Sequence, residues 1–367
     1  MKRSWFLALL LFVFIQPETA FAGGGPDAYG YTWKGSFDSG GPVYTWIDIS
    51  TTGTLVSGLL DDNSIGPVGL GFNFHYYWQD YNAIKLGSNG WLGFDNTSNI
   101  AHCFPYIPDP AAIGQADNFL APLMADLNFA VGSGKMYYWS NQKDTFIVAY
   151  HNVPFWQQGA PGWIGDMTFQ AILSAQDSSI VFQYKTMNAT IPVNACAQDL
   201  VVGIESMTGN YGLEVYKEIM PSISSAIKFY YPDSVLISIY DATPHWNANV
   251  KNGGQFFGQG LVTLNTNIKN VGNTDITTPI TVTSKIIDIF NSPVHTATAT
   301  VSSLMTYTDT TVIHSSQANL QGVGQYYFET AIGNSQDIYA GNDTTTTEID
   351  VVNLTFSTAQ LSYSLQT

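Results

Sequence analysis

Apolar and polar positions alternate along much of this chain. Phe146, Val148 and Tyr150 alternate with Thr145, Ile147 and Ala149, and Phe169, Ala171 and Leu173 with Thr168, Gln170 and Ser174. Ile180, Phe182 and Tyr184 do the same against Gln183 and Lys185. Successive side chains of a strand point to opposite faces, so this pattern predicts half-buried β-strands. The polar tetrads Asn141-Gln142-Lys143-Asp144 and Gln176-Asp177-Ser178-Ser179 lie between such runs, where hairpin connections are expected. Upstream, Gly71 to Trp78 reads as an aromatic strand, and Ser88-Asn89-Gly90 separates Asn82–Gly87 from Trp91–Phe94. Asn-Gly between apolar runs is a strong hairpin signal, because both residues tolerate φ > 0. Helical periodicity is almost absent from Tyr29 to Tyr231, and the short, regular strand spacing predicts an antiparallel β-sandwich. Asp95 to Asp117 carries Pro105, Pro108 and Pro110 and is expected to be irregular.

The composition changes at Tyr231-Pro232-Asp233, beyond which Trp246 is the last tryptophan and Thr, Val and Ile dominate. Val262, Leu264 and Ile268 alternate with Thr263, Asn265 and Lys269, and Asn270 to Asn273 turns the chain. Further β-branched or aromatic runs follow at Ile280–Phe290, Val294–Val301, Gln325–Ile332 and Thr345–Val352. About seven short strands over such a length suit an immunoglobulin-like β-sandwich. The expected organisation is all-β: a first sandwich over 23–231, an immunoglobulin-like one over 232–352, and a further segment or tail over 353–367.

Two stretches carry family resemblances. Tyr81 to Phe94 (with Gly-Ser-Asn-Gly-Trp-Leu-Gly-Phe), Phe119 to Leu127 (Phe-Leu-Ala-Pro-Leu-Met-Ala-Asp-Leu) and Gly134 to Tyr138 resemble the nidogen extracellular domain, as found in secreted bacterial proteins. Leu123-Met124 stand where that pattern usually has an aromatic after the Ala-Pro pair. Asn267 to Thr274 and Tyr339 to Ile349 resemble the cell-adhesion-related domain of bacterial surface proteins. The resemblances imply an adhesion-associated module with no catalytic residues to carry over. Proteins of this kind usually continue into further domains and a C-terminal sorting domain.

Residues 1–22 read as a signal peptide: Lys2 and Arg3, an apolar run from Trp5 to Ile15, and the small-x-small site Ala20-Phe21-Ala22. The run is short for a bilayer span. A secreted or cell-surface protein without membrane insertion is expected. Cleavage removes Lys2, Arg3 and Glu18, taking 12 cations and 28 anions to 10 and 27, a net charge of −17. Arg3 is the chain's single arginine, so the mature chain has none. Arginine is the preferred bidentate partner of phosphate and carboxylate. Its absence with this charge argues against nucleic acid and anionic membranes. An even cysteine count in an exported chain predicts a Cys103–Cys196 disulfide. Closing that loop would stabilise the fold by roughly 4 to 5 kcal/mol in the chain-entropy model.

Familiar catalytic and metal signatures are missing: no His-Glu-x-x-His, Cys-x-x-Cys, Gly-x-Ser-x-Gly or phosphate-cradling glycine loop. The six histidines are scattered. Glu205 and Glu214 lie on neighbouring predicted strands and form the one carboxylate pair of glycosidase type, with solvent-facing strand positions as the plainer reading. Asp61-Asp62-Asn63 with Gly66 has the opening of a calcium loop but Phe72 at the twelfth position, which favours a turn. No catalytic residue, metal or cofactor is therefore expected. The expected function is a non-catalytic adhesive or structural surface protein, with carbohydrate binding or cleavage as the alternative. Asn152 to Asp166 contains two prolines and three glycines, so it is expected to leave the ladder and project as a loop. Its Phe155, Trp156, Gln157 and Trp163 either fold back as a lid or form a contact surface. Partners for such a surface are a cell-surface or matrix protein or a neutral glycan.

Overall fold

The computed structural model describes residues 23–94, 106–109, 117–192, 200–249, 254 and 256–353. They fold as two compact units. One comprises Met1–Phe74, Asn82–Glu205 and Gly212–Pro232, the other His75–Tyr81, Ser206–Tyr211 and Asp233–Thr367. The first strands are β1 (Thr32–Gly35), β2 (Thr54–Leu55), β3 (Ser64–Tyr76), β4 (Gln79–Gly87), β5 (Leu92–Gly93) and β6 (Phe119–Met124). Next come β7 (Lys135–Ser140), β8 (Thr145–Trp156), β9 (Trp163–Ser174), β10 (Ser179–Met187), β11 (Val201–Glu205), β12 (Gly212–Lys217) and β13 (Ser225–Tyr230). The remainder are β14 (Ala242–Asn249), β15 (Phe256–Gly258), β16 (Gly260–Asn270), β17 (Ile280–Asp288), β18 (Pro293–Val301), β19 (Asp309–Leu320), β20 (Gly324–Gly333) and β21 (Thr344–Val352). The described residues hold no α-helix, and the chain is an all-β sandwich protein.

β1-β13-β10-β9-β8-β7-β2 form a seven-stranded sheet and β12-β11-β6-β5-β4-β3 a six-stranded one. Large rings fill the interior: Tyr150, Phe169, Phe146, Tyr184, Phe74 and Phe119 are fully buried. Tyr150 stacks on Phe169 with centroids 4.4 Å apart. The Tyr150 hydroxyl donates to the Gly87 carbonyl at 2.9 Å, and that of Tyr184 to the Pro122 carbonyl at 2.7 Å, each tying one sheet to the other. Burying such a ring stabilises by about 1.5–3 kcal/mol. A neutral hydrogen bond nets about 1 kcal/mol. The rings therefore drive the packing, and the phenols fix which carbonyls they meet.

The alternation in β8 and β9 is real, but the strands are buried on both faces. Ile147 and Ala149 pack with Ile49 behind the seven-stranded sheet, supported by Tyr137, Trp139 and Ile172. Gln170, polar in the sequence pattern, is fully buried. Oriented to match both of its ends, its amide donates to Ile47 O at 2.9 Å and accepts from Ile47 N at 3.1 Å. The segment before β2 thus covers a face that the pattern predicts to be open.

In the second unit, β14-β16-β19 face β15-β21-β20-β17-β18. Two apolar clusters span both sheets, one around Leu264, Ile286 and Phe328, the other around Ile268, Val282 and Val312. A polar layer joins them. Thr266 Oγ1 lies 2.8 Å from Asn247 Oδ1, 3.2 Å from Ser284 Oγ and 2.9 Å from Thr330 Oγ1, and His314 Nε2 meets Ser284 Oγ at 2.8 Å. Thr266, Ser284 and Thr330 are wholly buried and His314 is 1% exposed.

Candidate functional site

The site begins at the Asn89-Gly90 turn. As the sequence predicts, β4 and β5 pair across it, with Leu86 opposite Leu92. Only Gly90 takes a left-handed conformation (φ 73°). A Cβ there would lie 1.8 Å from the Leu123 carbonyl oxygen, so the position requires glycine. Asn89 stitches three segments together. Its Nδ2 donates to Asp62 Oδ1 at 2.8 Å, its Oδ1 accepts from Leu127 N at 2.9 Å, and its carbonyl accepts from Ala125 N at 3.2 Å. The Asp61–Asn63 segment is accordingly a turn in which the Asp62 and Asn63 side chains bond to protein groups.

β6 carries Pro122 among fully buried neighbours. The register against β11 slips between the Met124–Val201 and Ala121–Gly203 pairs. Proline lacks the N–H that a regular ladder needs, and that bulge accommodates it. The chain leaving β6 then docks on β8: Trp156 N donates to Asp126 O at 2.8 Å, Leu127 bridges Phe155, and Asn128 N donates to Pro154 O at 3.0 Å. The first two of the three nidogen-like motifs are thereby one scaffold, and it holds the β8–β9 hairpin.

That hairpin corrects the expectation of a projecting loop over 152–166. The ladder continues through Phe155–Ile164 to Trp156–Trp163, leaving only Gln157 to Gly162 as the connection, closed by Gln157 N donating to Gly162 O at 3.2 Å. Pairing survives the prolines because Pro154 falls at a register shift between Val153 and Phe155, while Pro161 lies in the turn. Phe155 is fully buried, so it is a core residue and presents no contact surface. Trp156, Gln157 and Trp163 are partly exposed.

Beside Trp163 lies an open pocket of about 320 Å³, walled by Trp163, Asp166, Asn152, Pro154 and Ser133. Asn152 sits at φ 50°, a left-handed geometry that Asn tolerates, and holds Thr168 through its backbone N–H (3.1 Å) and Oδ1 (3.3 Å). Gly165 also lines the pocket (φ 75°), and a Cβ on it would meet Ala189 Cβ at 2.4 Å. Among the described residues, the Trp163 indole N–H, the Asp166 carboxylate and the Ser133 hydroxyl have no hydrogen-bond partner. Of the four residues singled out in the sequence, only Trp163 lines this space. Asn152 and Asp166 bound the same segment and could have been included. Ser133, on a separate turn, left no signal.

Glu205 and Glu214 do lie on paired strands, β11 and β12. The solvent-facing reading fails for Glu205, which is 1% exposed, and holds for Glu214. Glu205 Oε1 accepts from Asp109 N at 2.6 Å. Burial, with Asp117 and Asp109 nearby, pushes its carboxyl up to about 9. Cys103 and Cys196 lie outside the described residues.

A family model described as "NIDO related" matches residues 36–235, more than half of the chain, and the chain belongs to that family. No curated protein matches it. Similar solved structures include a CARDB domain from Pyrococcus furiosus in complex with di-metal ions, at 15% identity over 32% of this chain and 97% of that one, with a TM-score of 0.25. A β-glucosidase from Listeria innocua in complex with glucose is 14% identical over 33% of this chain and 17% of its own, with a TM-score of 0.21. A β-glucuronidase from Bacteroides uniformis is 10% identical over 38% and 16%, with a TM-score of 0.22. The chain thus spans less than a fifth of either glycosidase, and TM-scores this low carry nothing about function.

Proposed function

We propose that this is a non-catalytic secreted or cell-surface adhesion protein, with a nidogen-like head over 23–231 on an immunoglobulin-like spacer over 232–352. Membership of the NIDO-related family over 36–235 carries the reading. The state of its carboxylates adds support. A retaining or inverting glycosidase sets two carboxyls facing across a cleft. Here Glu205 is buried in a strand and bonded to a backbone N–H, while Glu214 is exposed. The N-terminal signal pattern fits export, and the partner is a cell-surface or matrix protein or a neutral glycan rather than nucleic acid.

Beads coated with the full chain test the reading against cultured cells and matrix-coated surfaces, alongside a reducing-sugar assay on neutral polysaccharides. The expected result is attachment above albumin-coated beads with no sugar released. Release of sugar, or attachment no better than albumin, contradicts it.

A further inference from the structure

We infer that the pocket beside Trp163 is a binding site for a neutral sugar. The inference rests on the adhesion reading and names the chemistry of its contact. At about 320 Å³ the pocket lies at the lower end of the range of about 300–1,000 Å³ typical of small-ligand sites. Its lining combines one flat aromatic side chain, Trp163, with the polar side chains of Asp166, Asn152 and Ser133. A pyranose has the complementary make-up, with an apolar C–H face and a rim of hydroxyls that both donate and accept. The Asp166 carboxylate accepts two such donors, the Asn152 amide and the Trp163 indole N–H donate, and the Ser133 hydroxyl does either.

Charge narrows the class further. Among the described residues, the walls carry one anion, Asp166, and no cation, so an anionic sugar would meet repulsion without a compensating partner. Quaternary ammonium ligands are held by cages of several rings, and the described walls carry one ring. The space is also built rather than incidental. Gly165 lets the chain pass against Ala189 where a side chain would collide. Pro154 is pinned from behind by Asn128, and Asn152 holds Thr168 through its left-handed turn. A wall fixed before the ligand arrives reduces the ordering cost of a weak ligand.

The test uses the full chain with cellobiose, lactose and chitobiose as probes and glucuronic acid as the anionic control, read by ligand-observed NMR and titration calorimetry. At least one neutral disaccharide is expected to bind with a millimolar or tighter Kd, and glucuronic acid more weakly. Trp163→Ala should weaken binding roughly tenfold or more, and Trp163→Phe should retain most of it. Asp166→Ala, at a partly exposed side chain, should weaken binding in a folded protein and decides the matter if Trp163→Ala does not fold. No binding of any neutral probe at millimolar concentration, or unchanged affinity in Asp166→Ala, overturns the inference. Bead attachment that persists without sugar binding removes the pocket and leaves adhesion standing. Sugar binding without attachment does the reverse.

Discussion

In the first unit the interior is a stack of rings, with Tyr150 on Phe169 and with Phe146, Phe74 and Phe119 buried among them. Its phenols reach across the interior to backbone carbonyls on the opposite sheet. In the second unit the apolar core is cut in two by Asn247, Thr266, Ser284, His314 and Thr330, which bond mainly to one another. Ring packing tolerates no added volume but has few polar groups to satisfy. A buried polar layer fixes register yet becomes a liability wherever one member is left unpaired. The first unit should therefore break where the backbone is crowded, and the second where a hydrogen bond is removed.

The largest effect is expected at the crowded backbone. Gly90→Ala puts a Cβ against the Leu123 carbonyl at a left-handed position, and should cost about 3 kcal/mol or more in denaturant unfolding of the first unit. A loss of under 1 kcal/mol would show that the turn can relax, and that the crowding is not structural.

Thr266→Val deletes the hydroxyl at the centre of the second unit's layer and should cost about 1–3 kcal/mol. Replacing Thr266, Ser284, Thr330, Asn247 and His314 together by apolar residues should cost less than the sum of the single changes, because no partner is then stranded. Additive losses would contradict the picture of one coupled layer.

Acid sharpens the same contrast. Burial holds the His314 imidazole below its ordinary 6.5. A folded-state value depressed in this way gives stability that is present above pH 6.5 and is lost as pH falls below it. Asp241 and Asp343 in the same unit, each pushed up to about 7 by burial, act in the opposite sense, so the His314 contribution is read as a difference: relative to His314→Gln, the unmodified chain should lose melting temperature between pH 7.5 and 5. The first unit has the opposite dependence at Glu205. Its raised folded value, about 9, favours the protonated state, so its contribution is full below the unfolded value near 4.3 and is lost as pH rises towards 9. Glu205→Gln should melt higher than the unmodified chain at pH 9, with the gap closing at pH 4.

Part of the first unit is legible in the sequence, because period-two alternation and the polar tetrads locate β10 and the adjoining ends of β8 and β9, although the far ends of β8 and β9 read as a loop. The Asn-Gly turn is legible too, although only its glycine needs the left-handed geometry. Burial is less legible. Gln170 reads as solvent-facing because the segment covering it lies more than a hundred residues upstream in sequence. Thr266, Ser284 and Thr330 fall in phase with the apolar positions of their strands, so the period turns them inward, but no pattern along the chain shows that they meet one another. The site is half legible. Trp163 stands out as a large aromatic near a turn, but its facing wall at Ser133 comes from a different connection, and no pattern along the chain joins the two.

On the proposed reading, the head binds at the β8–β9 hairpin without doing chemistry. The most direct measurement compares bead attachment and polysaccharide hydrolysis for the unmodified chain, Trp163→Ala and Glu205→Gln, each verified as folded. Trp163→Ala is expected to lose attachment, Glu205→Gln to keep it, and none of the three to release sugar. Attachment unaffected by Trp163→Ala, or sugar release abolished by Glu205→Gln, would contradict it.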